Sequence, residues 1–512
     1  MIGDMVRVGA ARAANQFLFT TVDGDGLTYG AVNIRANRIA NALQGLGLKP
    51  GDRVAVWAST SIQYMELYIG AARGGFAITP INERFKIREA RHQFEDSGAK
   101  ILFYSENLVH LVNELNQTSD IPNLVCLDGK SEILSLSFED LLETGSSRFP
   151  IDPDPDGLFI LGYTSGTTGF PKGAMLTQRS VKILARMNAH SIRLPLSSVN
   201  VWTSSMSFVA SIGAIMMSHI HVGGTIVVAS PWDIDRLMKT SKKWNATSVH
   251  FPTPAIVDLT QAMIKNPEDW LSWVSLFQSA SKAPASQMRN LAEISGTRLV
   301  SGWGMTENSG GLATAFSLAD VAGRTTANDL FESAGRAVAD AEVRVIDADG
   351  NNLPHDGETI GELCIRTPAL MKGYWNNPVA SEKALVDGWY HTGDLGYIDP
   401  AGYVYISDRR SDLIVSGGMN VYPTEVETII LELPKIFQCA VIGIPDDRWG
   451  QAVVAVIKMK EGEEMTDQEV IDHCRSQIAH YKQPTRVIRV ETFPVTASEK
   501  IKRAELRTLL GF

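Results

Sequence analysis

The chain has 512 residues, of which 44 % are apolar and 20 % charged, with a formal net charge of −10. That length exceeds one ordinary core and implies roughly two to four folding units, and the composition excludes a disordered chain. The acidic balance lacks the basic footprint that non-specific nucleic-acid binding needs, although a local anion site remains compatible with it.

From Tyr29 to Leu48 apolar residues recur at helical spacing, and Gly45 and Gly47 mark the end. Lys49-Pro50-Gly51-Asp52 reads as a turn, followed by a strand from Arg53 to Trp57. Helix and strand then alternate through Ile62–Arg73, Ala77–Pro80, Ile87–Ser97 and Ala99–Tyr104, the rhythm of an α/β domain with a buried sheet. Strands follow at Leu158–Tyr163, Asn200–Thr203, Thr225–Ala229, Thr247–Phe251, Trp273–Gln278 and Arg298–Ser301, with a helix at Ile212–His219. The stretch Val209–Ala229 is the longest apolar one, but His219, His221, glycines and serines interrupt it. It therefore predicts buried strand and helix, not a membrane span.

After residue 330 the texture changes to short strands with glycine-rich turns, at Ala341–Ile346, Ile360–Thr367 and Gly402–Ile406. The charged run Asp408-Arg409-Arg410-Ser411-Asp412 separates these from a last β-α-β-β-α-β segment, Val415–Val421, Pro423–Leu433, Ile436–Pro445, Ala452–Met459, Thr466–His480 and Thr485–Val490. The expected fold class is α/β: a large N-terminal region over 1–407, divided at about 330 into α/β subdomains and a small β-rich unit, a hinge at 408–412, and a small mobile α+β domain over 413–512. Cys126, Cys364, Cys439 and Cys474 lie far apart, which speaks against a metal knuckle or disulfide framework and predicts cytoplasmic residence. The first residues lack the basic segment and apolar core of a secretory signal.

Tyr163-Thr164-Ser165-Gly166-Thr167-Thr168-Gly169-Phe170-Pro171-Lys172-Gly173 packs three threonines, a serine, three glycines and a lysine into eleven residues. Hydroxyls and backbone N–H groups can donate to phosphate oxygens, glycines let the backbone close in, and Lys172 adds charge. The spacing is not that of a Walker A loop. Glycine with serine or threonine is also linker composition, but a linker does not fit between a strand and a long ordered stretch.

Ser301-Gly302-Trp303-Gly304-Met305-Thr306-Glu307 is a second candidate. An exposed indole between glycines offers a face for a purine, Thr306 a donor for phosphate, and Glu307 a carboxylate for Mg²⁺. A strand end with a helix cap would explain the glycines alone. In Trp389-Tyr390-His391-Thr392-Gly393-Asp394-Leu395-Gly396, Asp394 sits in a glycine-bounded turn suited to a ribose diol, which is also ordinary turn chemistry. Arg409 precedes the hinge, and Lys500 lies in the basic stretch Pro494–Arg503. No Gly-x-Ser-x-Gly or His-Glu-x-x-His occurs.

In this order, over nearly the whole chain, these motifs resemble the adenylate-forming superfamily of acyl-CoA synthetases, adenylation domains and luciferases. The resemblance implies two half-reactions: a carboxylate attacks the α-phosphate of Mg·ATP to give acyl-AMP and pyrophosphate, then, after the C-terminal domain rotates, the thiol of coenzyme A takes the acyl group. It implies that Thr164, Ser165, Gly166, Thr167, Thr168, Gly169 and Lys172 cradle the β- and γ-phosphates. Thr306 would bind the α-phosphate, and Glu307 with Thr167 the Mg²⁺. Trp303 would pack against adenine, with Ser279, Ala280, Ser281, Gly302, Gly304, Met305 and Ile406 around the nucleotide, and Asp394 and Arg409 would fix the ribose. Lys500 would bridge the carboxylate and the α-phosphate, Ser411 would be the hinge, and Gly417 and Gly418 would line the pantetheine tunnel. Phe208, Ser211, Ile212, Phe251 and Asn308 would line the acyl pocket, which suits a hydrophobic acid: medium-chain, aromatic or polycyclic.

The chain departs from the family pattern at three positions. Phe208 stands where a histidine is common, Ser411 where the hinge is usually aspartate or lysine, and Glu499 where a glycine usually precedes the terminal lysine. The partners expected are a small carboxylic acid, no nucleic acid and no transmembrane segment, with a homodimer and an acyl or peptidyl carrier protein compatible. No attached carrier domain is recognisable. The competing functions are a free-standing ligase that loads a carrier protein and a non-catalytic nucleotide- or acyl-binding homologue.

Overall fold

The computed structural model describes the chain except residues 130–134, 151–152, 165–170, 280–282, 319–328, 410–411, 417–418, 447–449, 479 and 497–498. Side chains at 408–409, 419–420, 450, 476 and 481 are likewise outside the description. The chain divides into two compact units: Met1–Ala327 with Ala334–Glu342 and Ile365–Tyr390, and Asn328–Ser333 with Val343–Cys364 and His391–Phe512.

Two sheets build the first unit. One orders Leu136–Ser137, Leu124–Cys126, Ile101–Tyr104, Arg53–Trp57, Ala77–Ile81, Leu158–Thr164 and Lys172–Thr177. All neighbours are parallel until the last pair, which forms an antiparallel hairpin. The Val-, Ile- and Phe-rich strands Val54–Trp57 and Ile101–Tyr104 are wholly buried, as both faces of a helix-covered parallel sheet require. Helix Ile62–Gly74 starts at Ser61, whose side chain accepts from the Tyr64 N–H, and stops at Gly75 with φ +75°.

The second sheet orders Arg336–Ala337, Leu312–Ser317, Leu299–Gly304, Ser275–Ser279, Ser248–Pro252, Val199–Trp202, Thr225–Val228, Phe17–Thr21 and Gly26–Thr28. The helix predicted at Ile212–His219 opens as a π-helical turn, Ser211–Met216, and continues as an α-helix over Met217–His221. Both pieces are buried almost throughout, so the apolar stretch belongs to the core. No helix among the described residues is long and apolar enough to cross a membrane.

An ion pair inside this unit makes a stability prediction. Arg35 donates to both Glu66 oxygens at 2.5 and 2.8 Å and to Glu139 at 2.6 and 2.9 Å, and Glu66 is fully buried. Burial pushes the Glu66 carboxyl up to about 7 against the lowering by Arg35. A carboxyl raised above its unfolded value stabilises the fold most below that value and less as pH climbs through the folded one. Arg35→Met strands the carboxylate and raises it further. Urea unfolding should show a loss of about 3–5 kcal/mol at pH 8 and a smaller loss at pH 5. Equal deficits at both pH values would contradict the prediction.

In the second unit Ile436–Asp446 and Gly450–Met459 pair antiparallel, and Arg486–Arg489 lies parallel beside the latter. Helices Pro423–Ile430 and Asp467–Gln477 complete the predicted β-α-β-β-α-β order, and Val426, Ile430, Val441, Ala455 and Val470 share its core. The single strand predicted at Val415–Val421 is instead two, Ile414–Ser416 and Met419–Val421, paired antiparallel. Two consecutive glycines between them favour a hairpin over a continuous strand. Arg503 donates to both Glu427 oxygens at 2.7 and 2.8 Å and to Asp412 at 3.2 Å, which anchors the terminal helix Arg503–Leu509.

Candidate active site

The two ends of the glycine-threonine run lie on the antiparallel strands Leu158–Thr164 and Lys172–Thr177, with Thr164 directly opposite Lys172. Ser165, Gly166, Thr167, Thr168 and Gly169 lie outside the described residues. One face of helix Ile87–Ser97 grips both legs of the hairpin. The Tyr163 hydroxyl donates to Asp96 at 2.6 Å, and the His92 Nε2–H donates to the Pro171 carbonyl at 3.3 Å. His92 and Asp96 are four residues apart and so share that face. Burial and the Asp96 carboxylate together push the Tyr163 hydroxyl far up, so it stays a donor.

Strand Leu299–Gly304 pairs antiparallel with Leu312–Ser317. A Cβ on Gly302 would stand 2.3 Å from the Thr314 carbonyl, and one on Gly304 2.1 Å from the Gly311 carbonyl. Close backbone approach therefore accounts for both glycines. The expectation of an exposed indole at Trp303 is corrected: it is 8 % exposed. Pairing opposite Thr314 between two close-packed glycines holds its backbone in the sheet.

The strand then turns through Thr306–Asn308. Glu307, 8 % exposed, accepts a hydrogen bond from the Tyr374 hydroxyl at 2.8 Å, and that hydroxyl lies 3.4 Å from the Tyr390 hydroxyl. The Met371 N–H donates to the Glu307 carbonyl at 2.8 Å. Lys172 Nζ sits 4.9 Å from the Tyr374 ring centroid, a cation–π distance. Tyr374 thus joins the lysine of the hairpin to the carboxylate of the turn. Gly162 completes the junction, since a Cβ there would stand 2.5 Å from Val209 Cγ2 and 3.1 Å from Thr306 Cγ2. The structure therefore brings Thr164, Lys172, Thr306 and Glu307 to one place. Tyr374 is absent from the sequence analysis, and Tyr390 enters it only as a member of the Asp394 motif, with no role of its own. The cue available was an aromatic pair, Tyr374-Trp375, directly after Gly373.

The residues proposed for the acyl pocket are less uniform. Phe208 is half-buried, while Ser211, Ile212, Phe251 and Asn308 are buried. The Asn308 amide donates to the Gly311 and Leu312 carbonyls at 3.2 and 3.0 Å, so it braces the turn. Ser248 and His250 line one small cavity with Ile215 and His219. By strand alternation Phe251 points to the opposite face of the sheet. Ser279 ends its strand with its hydroxyl 2.6 Å from His250 Nε2, and Ala280 and Ser281 lie outside the described residues. Met305 is half-buried between Gly304 and Thr306.

In the second unit Asp394 and Arg409 face each other across an antiparallel ladder, and Gly396 faces Ile406. The Asp394 N–H donates to Thr392 Oγ1 at 3.0 Å, and the Gly393 N–H to Glu362 at 3.1 Å. Ser411, Gly417 and Gly418 lie outside the described residues. Lys500 is exposed and tied to Thr496: the Thr496 N–H donates to the Lys500 carbonyl at 2.7 Å, and the Lys500 N–H to Thr496 Oγ1 at 3.1 Å.

Glu499, just before it, has φ +62°. That left-handed conformation costs a residue with a Cβ about 1 kcal/mol or more, which explains why glycine suits the position. Glu499→Gly should raise stability by about 0.5–1 kcal/mol, and Glu499→Val should lower it by at least about 1 kcal/mol. Thermal unfolding of both variants tests this, and a loss in the glycine variant would contradict it.

Residues 7–375 match the model of the AMP-binding enzyme family, and residues 425–500 that of the AMP-binding enzyme C-terminal domain. The long-chain-fatty-acid–CoA ligase FadD13 of Mycobacterium tuberculosis is 32 % identical over 487 residues, covering 94 % of this chain and 92 % of that one. A feruloyl-CoA synthase from an Amycolatopsis species is 31 % identical over 497 residues, covering 95 % of each. The structure of ATP-bound MatB from Rhodopseudomonas palustris superposes with a TM-score of 0.88 at 26 % identity over 99 % of both chains.

Proposed function

The chain belongs to the AMP-binding enzyme family of adenylate-forming enzymes, and from that premise we propose that it is an ATP-dependent acid–thiol ligase for a hydrophobic carboxylic acid. A carboxylate oxygen attacks the α-phosphorus of ATP, the bond to the β-phosphate breaks, and pyrophosphate leaves. The thiol sulfur of coenzyme A then attacks the acyl carbon, AMP leaves with the bridging oxygen, and the thiol proton passes to solvent.

The observation that carries this reading is the Lys172–Tyr374–Glu307 array beside Thr306 at the base of the glycine-threonine hairpin. On this reading Lys172 would meet the departing pyrophosphate and Glu307 the charge that builds at the α-phosphate. Mg²⁺ is commonly held by one or two carboxylates together with phosphate oxygens and water. A single carboxylate fits a metal that arrives with the nucleotide, and no cluster of three His, Cys, Asp or Glu is found among the described residues. Glu307, with Thr167 in the run, would hold that ion, which offsets the phosphate charge when bound.

Thr164, Ser165, Thr168 and Lys172 would orient the pyrophosphate, and Asp394 and Arg409 the ribose. Ser411 would be the hinge of a mobile domain, and Gly417 and Gly418 would leave room for the pantetheine arm. Two relatives are named for hydrophobic acids, one fatty and one aromatic, and the pocket candidates Phe208, Ile212 and Phe251 are apolar.

The test is pyrophosphate exchange into ATP over a panel of medium-chain, aromatic and polycyclic acids, followed by thioester mass with coenzyme A. A hydrophobic acyl-CoA product supports the proposal. Consumption of acyl-AMP only by a phosphopantetheinylated carrier protein would move the acceptor from coenzyme A to the carrier. Failure to exchange with any acid would overturn it in favour of a binding protein.

A further inference from the structure

His250 lies on the middle of three adjacent parallel strands, Val199–Trp202, Ser248–Pro252 and Ser275–Ser279. Its Nδ1 is 3.0 Å from the hydroxyl of Ser204, just beyond the end of one neighbour. Its Nε2 is 2.6 Å from the hydroxyl of Ser279, the last residue of the other. Ligand crevices of parallel sheets open at these carboxyl ends. Ser204 leads into the segment that carries Phe208, and its carbonyl accepts from the Trp202 indole at 2.7 Å and from Thr60 at 3.2 Å. Ser279 directly precedes Ala280 and Ser281 in the sequence.

Burial and the neighbouring His219 hold the His250 imidazole down at about 4, so it is neutral across the working pH range. A neutral imidazole donates from one ring nitrogen and accepts at the other, so both serines are bonded at once. A second link runs beside it: the Gln278 side-chain amide donates to Thr253 Oγ1 at 2.7 Å, and the Ser301 hydroxyl donates to Gln278 Oε1 at 2.5 Å.

Resting on the proposed ligase reading, we propose that His250 is a positioning residue that holds Ser204, ahead of Phe208, and Ser279, a nucleotide-site candidate, in register. Acid and nucleotide binding then depend on one imidazole through its two different nitrogens. On this proposal His250 acts through the two serines and not on the reacting atoms.

The test uses His250→Ala, His250→Asn and His250→Gln in the full chain. The affinity for AMP is measured by titration calorimetry, and the KM of the most active panel acid by pyrophosphate exchange. Losing one hydrogen bond on each side should weaken AMP about 5- to 10-fold and raise the acid KM about 5- to 10-fold in the alanine variant. Asparagine, whose amide stands near the Nδ1 position, should restore the acid KM to within about twofold. Glutamine, which reaches the Nε2 position, should restore AMP affinity instead. Such a split rescue is not expected of a residue that only supports the fold.

Should the alanine variant fail to fold, Ser204→Ala should raise only the acid KM and Ser279→Ala should weaken only AMP. Both constants within twofold of wild type in His250→Ala, or identical rescue by asparagine and glutamine, would overturn the proposal. The AMP titration needs no acid. A wild-type protein that binds AMP yet exchanges with no acid refutes the ligase reading, and the calorimetric effect of His250→Ala still reads the positioning role.

Discussion

Lys500→Ala is expected to lower pyrophosphate exchange by about 10²- to 10³-fold and to leave thiol attack on supplied acyl-AMP within about threefold of wild type. Exchange reports adenylation alone, the step in which two anions, the carboxylate and the triphosphate, must meet. A cation between them lowers that barrier, whereas attack of a thiol on a mixed anhydride brings no second anion to the same place. The variant should fold normally, because Lys500 is tied to Thr496 through backbone groups, its N–H to Thr496 Oγ1 and its carbonyl from the Thr496 N–H. Rapid-quench assays of the two half-reactions separate the outcomes. Equal loss in both would remove Lys500 from its adenylation role.

The same segment shows what the sequence could and could not reveal. Glu499 departs from the family's glycine, and from sequence the visible consequence is a negative charge beside Lys500. The structure adds a backbone cause, φ +62°, which no property of the glutamate side chain discloses. Alternating strand and helix patterns located most strands of both sheets, because a buried parallel strand writes a continuous apolar run. The strand Lys172–Thr177 was not legible in that way, since it begins inside the phosphate motif and its charged first residue breaks the pattern.

Long-range contacts were least legible. Tyr374 lies 67 residues from Glu307 and meets it through one hydroxyl, a pairing that local periodicity does not encode. The family resemblance assigns Phe251 to the acyl pocket with Phe208. Strand alternation puts His250, not Phe251, on the face toward Ile215 and His219.

Glu307→Gln is the second large expected effect. Glutamine keeps the size of the side chain, and its carbonyl oxygen can still accept from the Tyr374 hydroxyl at the 2.8 Å position, so stability should change by less than about 1 kcal/mol. What disappears is the negative charge. If that charge holds Mg²⁺ at the α-phosphate, exchange should fall about 10²-fold and half-saturation by Mg²⁺ should move to higher concentration. Tyr374→Phe provides the contrast. It deletes a hydrogen bond to a charged group, which costs roughly 1.5–3 kcal/mol if the full interaction is lost, but leaves the carboxylate charge in place. Its Mg²⁺ dependence should therefore stay near wild type while its rate falls about tenfold through loss of orientation. Lys172, 4.9 Å from the same ring, keeps its aromatic partner in the phenylalanine variant, so the rate loss reads the hydroxyl alone. A Mg²⁺ shift in Tyr374→Phe and none in Glu307→Gln would reverse the assignment, making the tyrosine, not the carboxylate, the determinant of metal binding.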